Sequence, residues 1–312
     1  MPSVALTGAT GFLGLHLLPA LLETGFTVRI LARRPPPKGA WDGLVFDTVH
    51  GSLADSAALH ELTQGVAVVI HAAGLIKARS RAEFLQVNRD GTAALASAAR
   101  KAAPDARFLL ISSLAAREPR LSDYAFSKHA AEVAARAAFP ELPERLAIIR
   151  PPAIYGPWDT ETLALFRAAR RAFVPVFGNG RVAIIHARDA ACGIAALAAS
   201  GRAGRFALAD PNPEGYPPGE LLRAAGRAMG RAPRLVALPA PVLLAAGAGA
   251  GLWSRLTGRP QIFGPGKARE ILHPDWSVHP AERLPPEIFR PRFGLEQGFA
   301  ATVAWYRQAG WL

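Results

Sequence analysis

The first fourteen residues place the strongest constraint on how this chain can fold. A short apolar strand from Val4 to Leu6 runs directly into Thr-Gly-Ala-Thr-Gly-Phe-Leu-Gly, and an amphipathic helix begins at Phe12. A pyrophosphate-binding βα turn needs a strand, a glycine-rich turn and a helix in this order. Gly8 permits the tight turn, Gly11 leaves room for a phosphate, and Gly14 lets helix and strand pack closely. The alternative is a glycine-rich turn without a ligand.

Strand-like and helix-like segments alternate through the first half of the chain. This alternation predicts an α/β fold with a doubly wound parallel (Rossmann) sheet and a smaller C-terminal substrate lobe. Further strands are predicted at residues 27–31, 66–70, 107–111 and 146–149, and helices at 84–103 and 124–138. We expect a dinucleotide-binding domain over residues 1–150, to which 178–200 return, and a substrate-binding lobe made of 151–177 and 201–312.

Composition excludes several classes of function. The net charge of +12 comes mainly from scattered Arg residues without interleaved aromatics, which argues against nucleic-acid binding. Cys192 is the single cysteine, and the eight His residues lack metal-ligand spacing, so no disulfide and no metal site is expected. The chain enters its first strand at once, which leaves no signal peptide and suggests a cytoplasmic protein. The Ala-, Arg- and Pro-rich composition suggests a GC-rich bacterial genome.

The longest apolar tract runs from Ala237 to Trp253 and is rich in Ala, Gly and Pro. It is too short to span a bilayer comfortably, so no integral membrane segment is expected. We interpret it as helices of the smaller lobe. A role facing lipid or a lipophilic substrate is the alternative.

A Tyr and a Lys occupy one face of a predicted helix. Tyr124 and Lys128 are four residues apart, and the chain contains only four Tyr and five Lys residues. A phenol is a poor base at neutral pH unless a nearby cation stabilises its phenolate. Upstream, Ser112 and Ser113 follow a predicted strand, at the end of a parallel sheet where ligands bind. An ordinary surface Tyr and Lys is the alternative.

The turn Thr-Gly-x-x-Gly-x-x-Gly resembles the cofactor turn of the short-chain dehydrogenase/reductase superfamily, in its extended, NAD-dependent epimerase/dehydratase-like branch. His-Ala-Ala-Gly from His71, Asn-x-x-Gly-Thr from Asn88 and the segment from Arg150 to Pro157 resemble further motifs of that family. The resemblance implies that Tyr124 is the general acid/base, that Lys128 lowers the phenol pKa and binds the nicotinamide ribose, and that Ser113 binds the substrate oxygen. It implies cofactor contacts at Thr7, Gly8, Thr10, Gly11, Phe12, Leu13, Gly14, Ala72, Ala73, Gly74, Asn88, Tyr124, Lys128, Pro151, Ala153 and Ile154.

The end of the second predicted strand indicates which nicotinamide cofactor is preferred. NAD-specific sites place an acidic residue there, whereas this chain has Arg33 and Arg34 and no acid before Asp42. Two guanidiniums suit the 2′-phosphate of NADP(H), and NAD(H) stays open as a second cofactor. A solvated basic strand end is the alternative.

Departures from the family pattern bear on the substrate. The segment between Ser113 and Tyr124 is short, and Val182 stands where sugar-nucleotide epimerases place a basic residue, with Arg181 one position away. Several aromatic residues are expected around the cleft, namely Trp158, Phe166, Phe173, Phe177, Phe263 and Trp276. We therefore expect an NADP(H)-dependent oxidoreductase that interconverts a carbonyl and an alcohol on a small, lipophilic substrate.

Two other functions stay open from the sequence. One is a sugar-nucleotide epimerase or dehydratase that retains its cofactor. The other is a non-catalytic NADPH-binding accessory protein, since the short Ser–Tyr segment also resembles bacterial relatives of a respiratory complex I subunit. Extended members of the family often pair through two helices, so a homodimer is expected by analogy.

Overall fold

A computed structural model describes residues 1–257 and 263–312 of the chain. Its strands are β1 (Ser3–Thr7), β2 (Thr27–Ala32), β3 (Asp47–His50), β4 (Val68–His71), β5 (Arg107–Ile111), β6 (Leu146–Arg150), β7 (Ala153–Tyr155), β8 (Phe173–Val176), β9 (Arg181–Val182), β10 (Ile184–His186), β11 (Gly204–Ala207), β12 (Arg234–Ala237) and β13 (Asp275–Trp276). Its helices are α1 (Phe12–Glu23), α2 (Ser56–Thr63), α3 (Arg81–Leu85), α4 (Gly91–Ala102), α5 (Asp123–Ala138), α6 (Leu163–Ala169), α7 (Ala187–Ser200), α8 (Pro218–Ala228), α9 (Ala240–Thr257), α10 (Pro265–Leu272) and α11 (Leu295–Gln308).

Seven strands form one parallel sheet in the order β11-β6-β5-β4-β1-β2-β3. The doubly wound Rossmann fold predicted from the alternating pattern is thereby confirmed. The register places Thr7 at the end of β1 beside His71 at the end of β4, and His71 beside Leu110 near the end of β5. The carboxyl ends of these three central strands therefore meet at one edge, where doubly wound sheets bind their ligands.

Apolar side chains on both faces of the sheet explain why it is sandwiched between helices. One core cluster joins α1 and α7 to one face, and a second joins α2, α4 and α5 to the other. A third cluster lies apart from the sheet and includes Tyr155, Phe166, Phe299 and Tyr306. Within the described ranges, no helix is both long enough and apolar enough to cross a membrane.

Two details differ from the sequence-based expectations. Strand β11 extends the large sheet by pairing in parallel with β6, although residues from 201 onward were expected in the smaller lobe. This strand is short and half exposed, so its apolar pattern is weak, yet it covers the edge that β6 would otherwise leave unpaired. The helix expected over 84–103 begins earlier, at Arg81, and a π-helical turn at Gln86–Asp90 separates α3 from α4.

Candidate active site

The glycine-rich turn is built by close backbone approaches that exclude any side chain. Gly8 has a φ of 76°, and a Cβ added there would lie 2.5 Å from the Ala73 nitrogen. A Cβ on Gly14 would lie only 2.2 Å from the carbonyl oxygen of Gly8. The turn after β1 and the turn after β4 therefore pack directly against each other and form one cradle.

The cradle has the donors that a pyrophosphate requires. Gly11 is the N-cap of α1 and is exposed, and no side chain caps this end of the helix. Backbone N–H groups in the first turn, including those of Phe12 and Leu13, lack carbonyl partners within their own helix. Together with the positive end of the helix dipole they form an anion site, so the residues present fit the diphosphate of a nicotinamide dinucleotide. Thr10 lies half exposed in the same turn.

The Thr7 side chain links the two turns of the cradle by hydrogen bonds. Its side chain is completely buried, and its hydroxyl oxygen lies 2.7 Å from His71 Nδ1 and accepts a hydrogen bond from the Ala73 N–H at 3.3 Å. Burial, followed by the charge of Lys128, lowers the pKa of His71 to about 3, so this imidazole is neutral. The hydroxyl thus ties two strand ends together, and the cofactor contact expected at Thr7 stays a prediction.

The Asn88 side chain is also hydrogen-bonded to residues beside the cradle. Its side-chain oxygen accepts from the Leu75 N–H at 2.7 Å, and its amide nitrogen donates to the Leu75 carbonyl at 3.1 Å and to the Ser127 hydroxyl at 2.8 Å. Both amide protons are thereby used. Asn88 therefore fixes the chain after Gly74 to helix α5, and the cofactor contact expected at this residue stays a prediction.

Tyr124 lies in the first turn of α5, which begins where expected because the Ser122 hydroxyl accepts from the Ala125 N–H at 3.0 Å. Burial raises the pKa of Tyr124 to about 12, the Ser113 hydroxyl acts in the opposite direction, and the charge of Glu270 raises it further. The phenol is therefore protonated at neutral pH. The family resemblance implied a pKa lowered by Lys128, but desolvation dominates the pKa of this phenol.

Lys128 lies one turn further along α5, beside the cradle. Its ammonium donates to the Ile111 carbonyl at the end of β5 at 2.6 Å, and a Cβ added to Gly74 would lie 3.8 Å from Nζ. Burial lowers the pKa of Lys128 to about 8, while the negative charge of Glu132 raises it. The ammonium thus lies where the turn after β4, the end of β5 and helix α5 meet.

The serine pair after β5 divides into two different environments. Ser112 is buried and donates to Glu132 Oε1 at 2.6 Å, whereas Ser113 is half exposed and interacts with Tyr124. The Ser113 hydroxyl also accepts from the Ala115 N–H at 3.2 Å and so caps a short 3₁₀ turn. This turn is tied to the segment after β6, because the Leu114 N–H donates to the Pro151 carbonyl at 2.9 Å. Of the two serines, Ser113 is therefore the one whose hydroxyl interacts with the Tyr124 phenol. Beyond the buried Pro151, Ala153 is exposed and Ile154 is half buried.

A buried ionic network supports Lys128 and Ser112, and the sequence analysis missed it. Glu132 is fully buried and accepts two hydrogen bonds from Arg150, at 2.7 Å from Nε and 2.8 Å from Nη2. Burial alone would raise the pKa of Glu132, but the hydrogen bonds from Arg150 and Ser112 and the charges of Arg150 and Arg136 hold it below its usual value. No local pattern marks Glu132 in the sequence, because its partner Arg150 lies 18 residues further along the chain.

A second missed residue lies on α10. Glu270 is buried, accepts a hydrogen bond from the Ser122 hydroxyl and lies 3.0 Å from Lys267 Nζ. Its backbone carbonyl accepts from Trp276 Nε1 at 2.8 Å. Because Ser122 caps α5, this carboxylate connects the C-terminal part of the chain to the helix that carries Tyr124.

Arg33 and Arg34 follow β2 and are exposed. Within the described part of the chain, neither guanidinium has a hydrogen bond or an ion pair, so both are available to an anion.

The aromatic residues expected around the cleft lie in different parts of the structure. Phe166 is fully buried against Phe299 and Tyr306, so its expected role at the cleft is wrong, and Phe173 is 61% exposed on β8.

Comparison with known proteins agrees with this geometry. Residues 4–208 match the NAD dependent epimerase/dehydratase family. The chain is 50% identical to a ceramide reductase from Caulobacter vibrioides over 311 residues, which cover 99% of this chain and 96% of the relative. The crystal structure of gox2253 superposes with a TM-score of 0.80 at 22% identity, over 100% of this chain and 99% of the other. A dTDP-glucose 4,6-dehydratase from Streptomyces venezuelae, with NAD and TYD bound, gives 0.75 at 22% identity over 100% and 98%. At this level of identity the two structures show the shared fold.

Proposed function

The chain belongs to the NAD dependent epimerase/dehydratase family, and we propose that within it the protein reduces the keto form of a ceramide with NADPH. It is an NAD(P)-dependent oxidoreductase that interconverts a carbonyl and an alcohol on a lipophilic substrate, as the sequence predicted. One observation carries the narrower proposal: the ceramide reductase from Caulobacter vibrioides is 50% identical over nearly the whole length of both chains.

The chemistry of a ceramide indicates which of its groups could be reduced. The amide carbonyl of a ceramide is a poor hydride acceptor, whereas a ketone at its secondary alcohol position accepts a hydride readily. The hydride for the carbonyl carbon would come from a reduced nicotinamide bound at the glycine-rich turn. We assign proton donation to the carbonyl oxygen to the Tyr124 hydroxyl, hydrogen bonding of the same oxygen to Ser113, and binding of the cofactor ribose to Lys128. The product is the secondary alcohol, and water reprotonates Tyr124.

Tyr124 carries the proton that the proposed reduction requires. Burial raises the pKa of its phenol to about 12, so the hydroxyl is protonated at neutral pH and can donate to a carbonyl oxygen.

The cofactor preference depends on Arg33 and Arg34, which are exposed at the end of β2. We expect the double variant Arg33→Asp and Arg34→Ala to raise the Kd of NADPH by about 10- to 100-fold and to leave the Kd of NADH nearly unchanged. The reason is that a charge-assisted hydrogen bond to the 2′-phosphate is worth about 1.5–3 kcal/mol. Isothermal titration with both cofactors measures the difference.

Arg307, which is exposed on α11, provides a control for the loss of a positive charge away from the end of β2. Arg307→Ala should leave both affinities as in the wild type. Equal losses for NADPH and NADH in the double variant would refute the assignment of a 2′-phosphate site.

The proposed reaction is tested by following NADPH consumption by the purified protein with a keto-ceramide and with a panel of simple aldehydes and ketones. We expect the keto-ceramide to give the highest kcat/KM and the product to be the ceramide alcohol by mass spectrometry. A dTDP- or UDP-sugar serves as the control for the epimerase alternative and should yield no isomer. Tight NADPH binding without turnover of any carbonyl would contradict the proposal and favour the accessory-protein alternative.

The division of the chain into a cofactor-binding part and a substrate-binding part belongs to the same proposal. We assign cofactor binding to residues 1–150 with the returning segment up to β11, and substrate binding to residues 151–177 and to those after β11. A bacterial origin, a cytoplasmic location and a homodimer complete the proposal. The Ala-, Arg- and Pro-rich composition supports the first, and the frequent pairing of extended family members supports the last.

A further inference from the structure

Helix α9 buries only a narrow stripe of its surface. Its inward stripe contains Leu243 and Gly247, followed by the half-buried Gly251. A Cβ on Gly247 would lie 2.9 Å from the Ala268 Cβ, and one on Gly251 would lie 2.8 Å from the Pro265 Cδ. The stripe of small residues therefore packs closely against α10, and α9 lies along the outside of the protein.

The outward surface of α9 is apolar, although a surface helix normally turns polar residues to water. No residue between Ala240 and Ser254 is charged. Leu252, Trp253 and Leu256 are 59%, 61% and 75% exposed, and Val242 is exposed on the same side of the helix. Exposed apolar side chains grouped in this way mark a surface that contacts a partner. We call these four residues the α9 face.

The charge of the surrounding chain indicates the chemistry of that partner. Between Glu220 and Glu270 the sequence contains eight Arg or Lys residues and no Asp or Glu. Arg231 and Arg234, just before α9, are exposed. A segment that is basic and also has an apolar helix face, with a Trp among its exposed residues, matches the surface of an anionic bilayer. A second copy of the same face would bring like charges together.

The α9 face is one helix away from the candidate active site. A Cβ added to Gly266 of α10 would lie 2.7 Å from the Ser122 Cβ, and Arg269 Nε donates to the Leu121 carbonyl at 2.8 Å. Glu270 of the same helix receives the hydroxyl of Ser122, the residue that caps α5. Helix α10 thus lies between the α9 face and the start of the helix that carries Tyr124.

We propose that the α9 face docks the protein onto the surface of an anionic phospholipid bilayer, with the helix lying in the plane of the interface. The choice of a lipid partner rests on the proposed function, because a keto-ceramide is confined to membranes. Docking would place the catalytic helix close to the lipid phase, so that a substrate with two long chains could reach Tyr124 without crossing water.

Co-sedimentation with vesicles tests the docking without cofactor or substrate. The full chain should bind vesicles of phosphatidylglycerol and phosphatidylcholine, bind pure phosphatidylcholine more weakly, and lose affinity as salt rises. The double variant Trp253→Ser and Leu256→Ser should bind at least about 10-fold more weakly, because it removes two of the largest apolar groups from the interface. Val133→Ser, a change at an exposed apolar residue of α5, is the matched control and should bind as the wild type does.

Several results would overturn the docking proposal. One is a wild-type chain that stays in the supernatant with both vesicle types, and another is a double variant that binds as well as the wild type while melting at the same temperature. A dimer in sedimentation velocity that the double variant abolishes, without vesicle binding by the wild type, would instead assign the face to a second copy. Reduction of a short-chain, water-soluble keto-ceramide tests the proposed function separately, because that assay contains no membrane.

Discussion

Replacing Tyr124 by Phe is expected to lower kcat for ketone reduction by about 10²- to 10⁴-fold, while the Kd of NADPH is unchanged. The variant removes the hydroxyl that would donate the proton and retains the ring, which lies 6.1 Å from the ring of Phe84 between centroids. Without a positioned donor, the developing alkoxide must take its proton from water. Steady-state kinetics with the best ketone, together with titration of NADPH, separates catalysis from binding.

Tyr155→Phe is the matched control for this experiment. Tyr155 is almost completely buried, and its hydroxyl has no hydrogen-bond partner among the described residues. Removing that hydroxyl should leave kcat close to the wild-type value. If Tyr124→Phe kept a tenth or more of the wild-type kcat, the assignment of Tyr124 as the proton donor would be wrong.

Replacing Glu132 by Ala is expected to lower the free energy of unfolding by about 3–5 kcal/mol, because it leaves a buried guanidinium without its charged partner. Arg150 is 5% exposed, and its other acidic neighbour, Glu282, lies 3.7 Å from Nη1. The Ser112 hydroxyl loses its acceptor in the same variant. Urea denaturation measures the loss as a decrease in the midpoint concentration.

The pair Arg227–Glu296 offers a matched comparison, since both side chains are more than half exposed. Glu296→Ala should cost no more than about 1 kcal/mol. An equal loss of unfolding free energy in the two variants would show that the buried network stabilises the protein no more than an exposed ion pair does.

The contribution of Glu132 should also depend on pH. Its folded pKa is lower than the usual value of 4.5, so its stabilising effect is complete above that pH and is lost as the pH falls through the folded pKa. The wild type should therefore lose stability more steeply than Glu132→Ala as the medium is acidified below about pH 4.5. Parallel curves for the two proteins would contradict this expectation.

Features set by neighbours along the chain could be predicted from the sequence. The glycine turn requires positions without side chains, and Gly8 and Gly14 meet backbone atoms at distances that no Cβ allows. The alternation of strands and helices identified the parallel sheet. The spacing of four residues placed Tyr124 and Lys128 on one face of a helix, as α5 shows.

The tertiary structure decided which hydrogen-bond partners each polar side chain has. Thr7 and Asn88 lie in motifs that suggest cofactor contacts, but both side chains are used to hold backbone turns in place. Glu132 and Glu270 carry no local signal, because their partners Arg150 and Ser122 lie 18 and 148 residues away. Sequence spacing cannot reveal a pairing that arises only when distant segments pack together.

The same division applies to electrostatics and to surfaces. The sequence by itself determined the nucleotide-binding turn, the sheet and the Tyr–Lys pair, because each depends on backbone sterics and on the periodicity of neighbouring residues. Only the tertiary structure decided that the pKa of the Tyr124 phenol is raised, since this pKa depends on burial by distant elements. It also decided that α9 turns Trp253 and Leu256 outward, because an apolar helix is buried or exposed according to what packs against it.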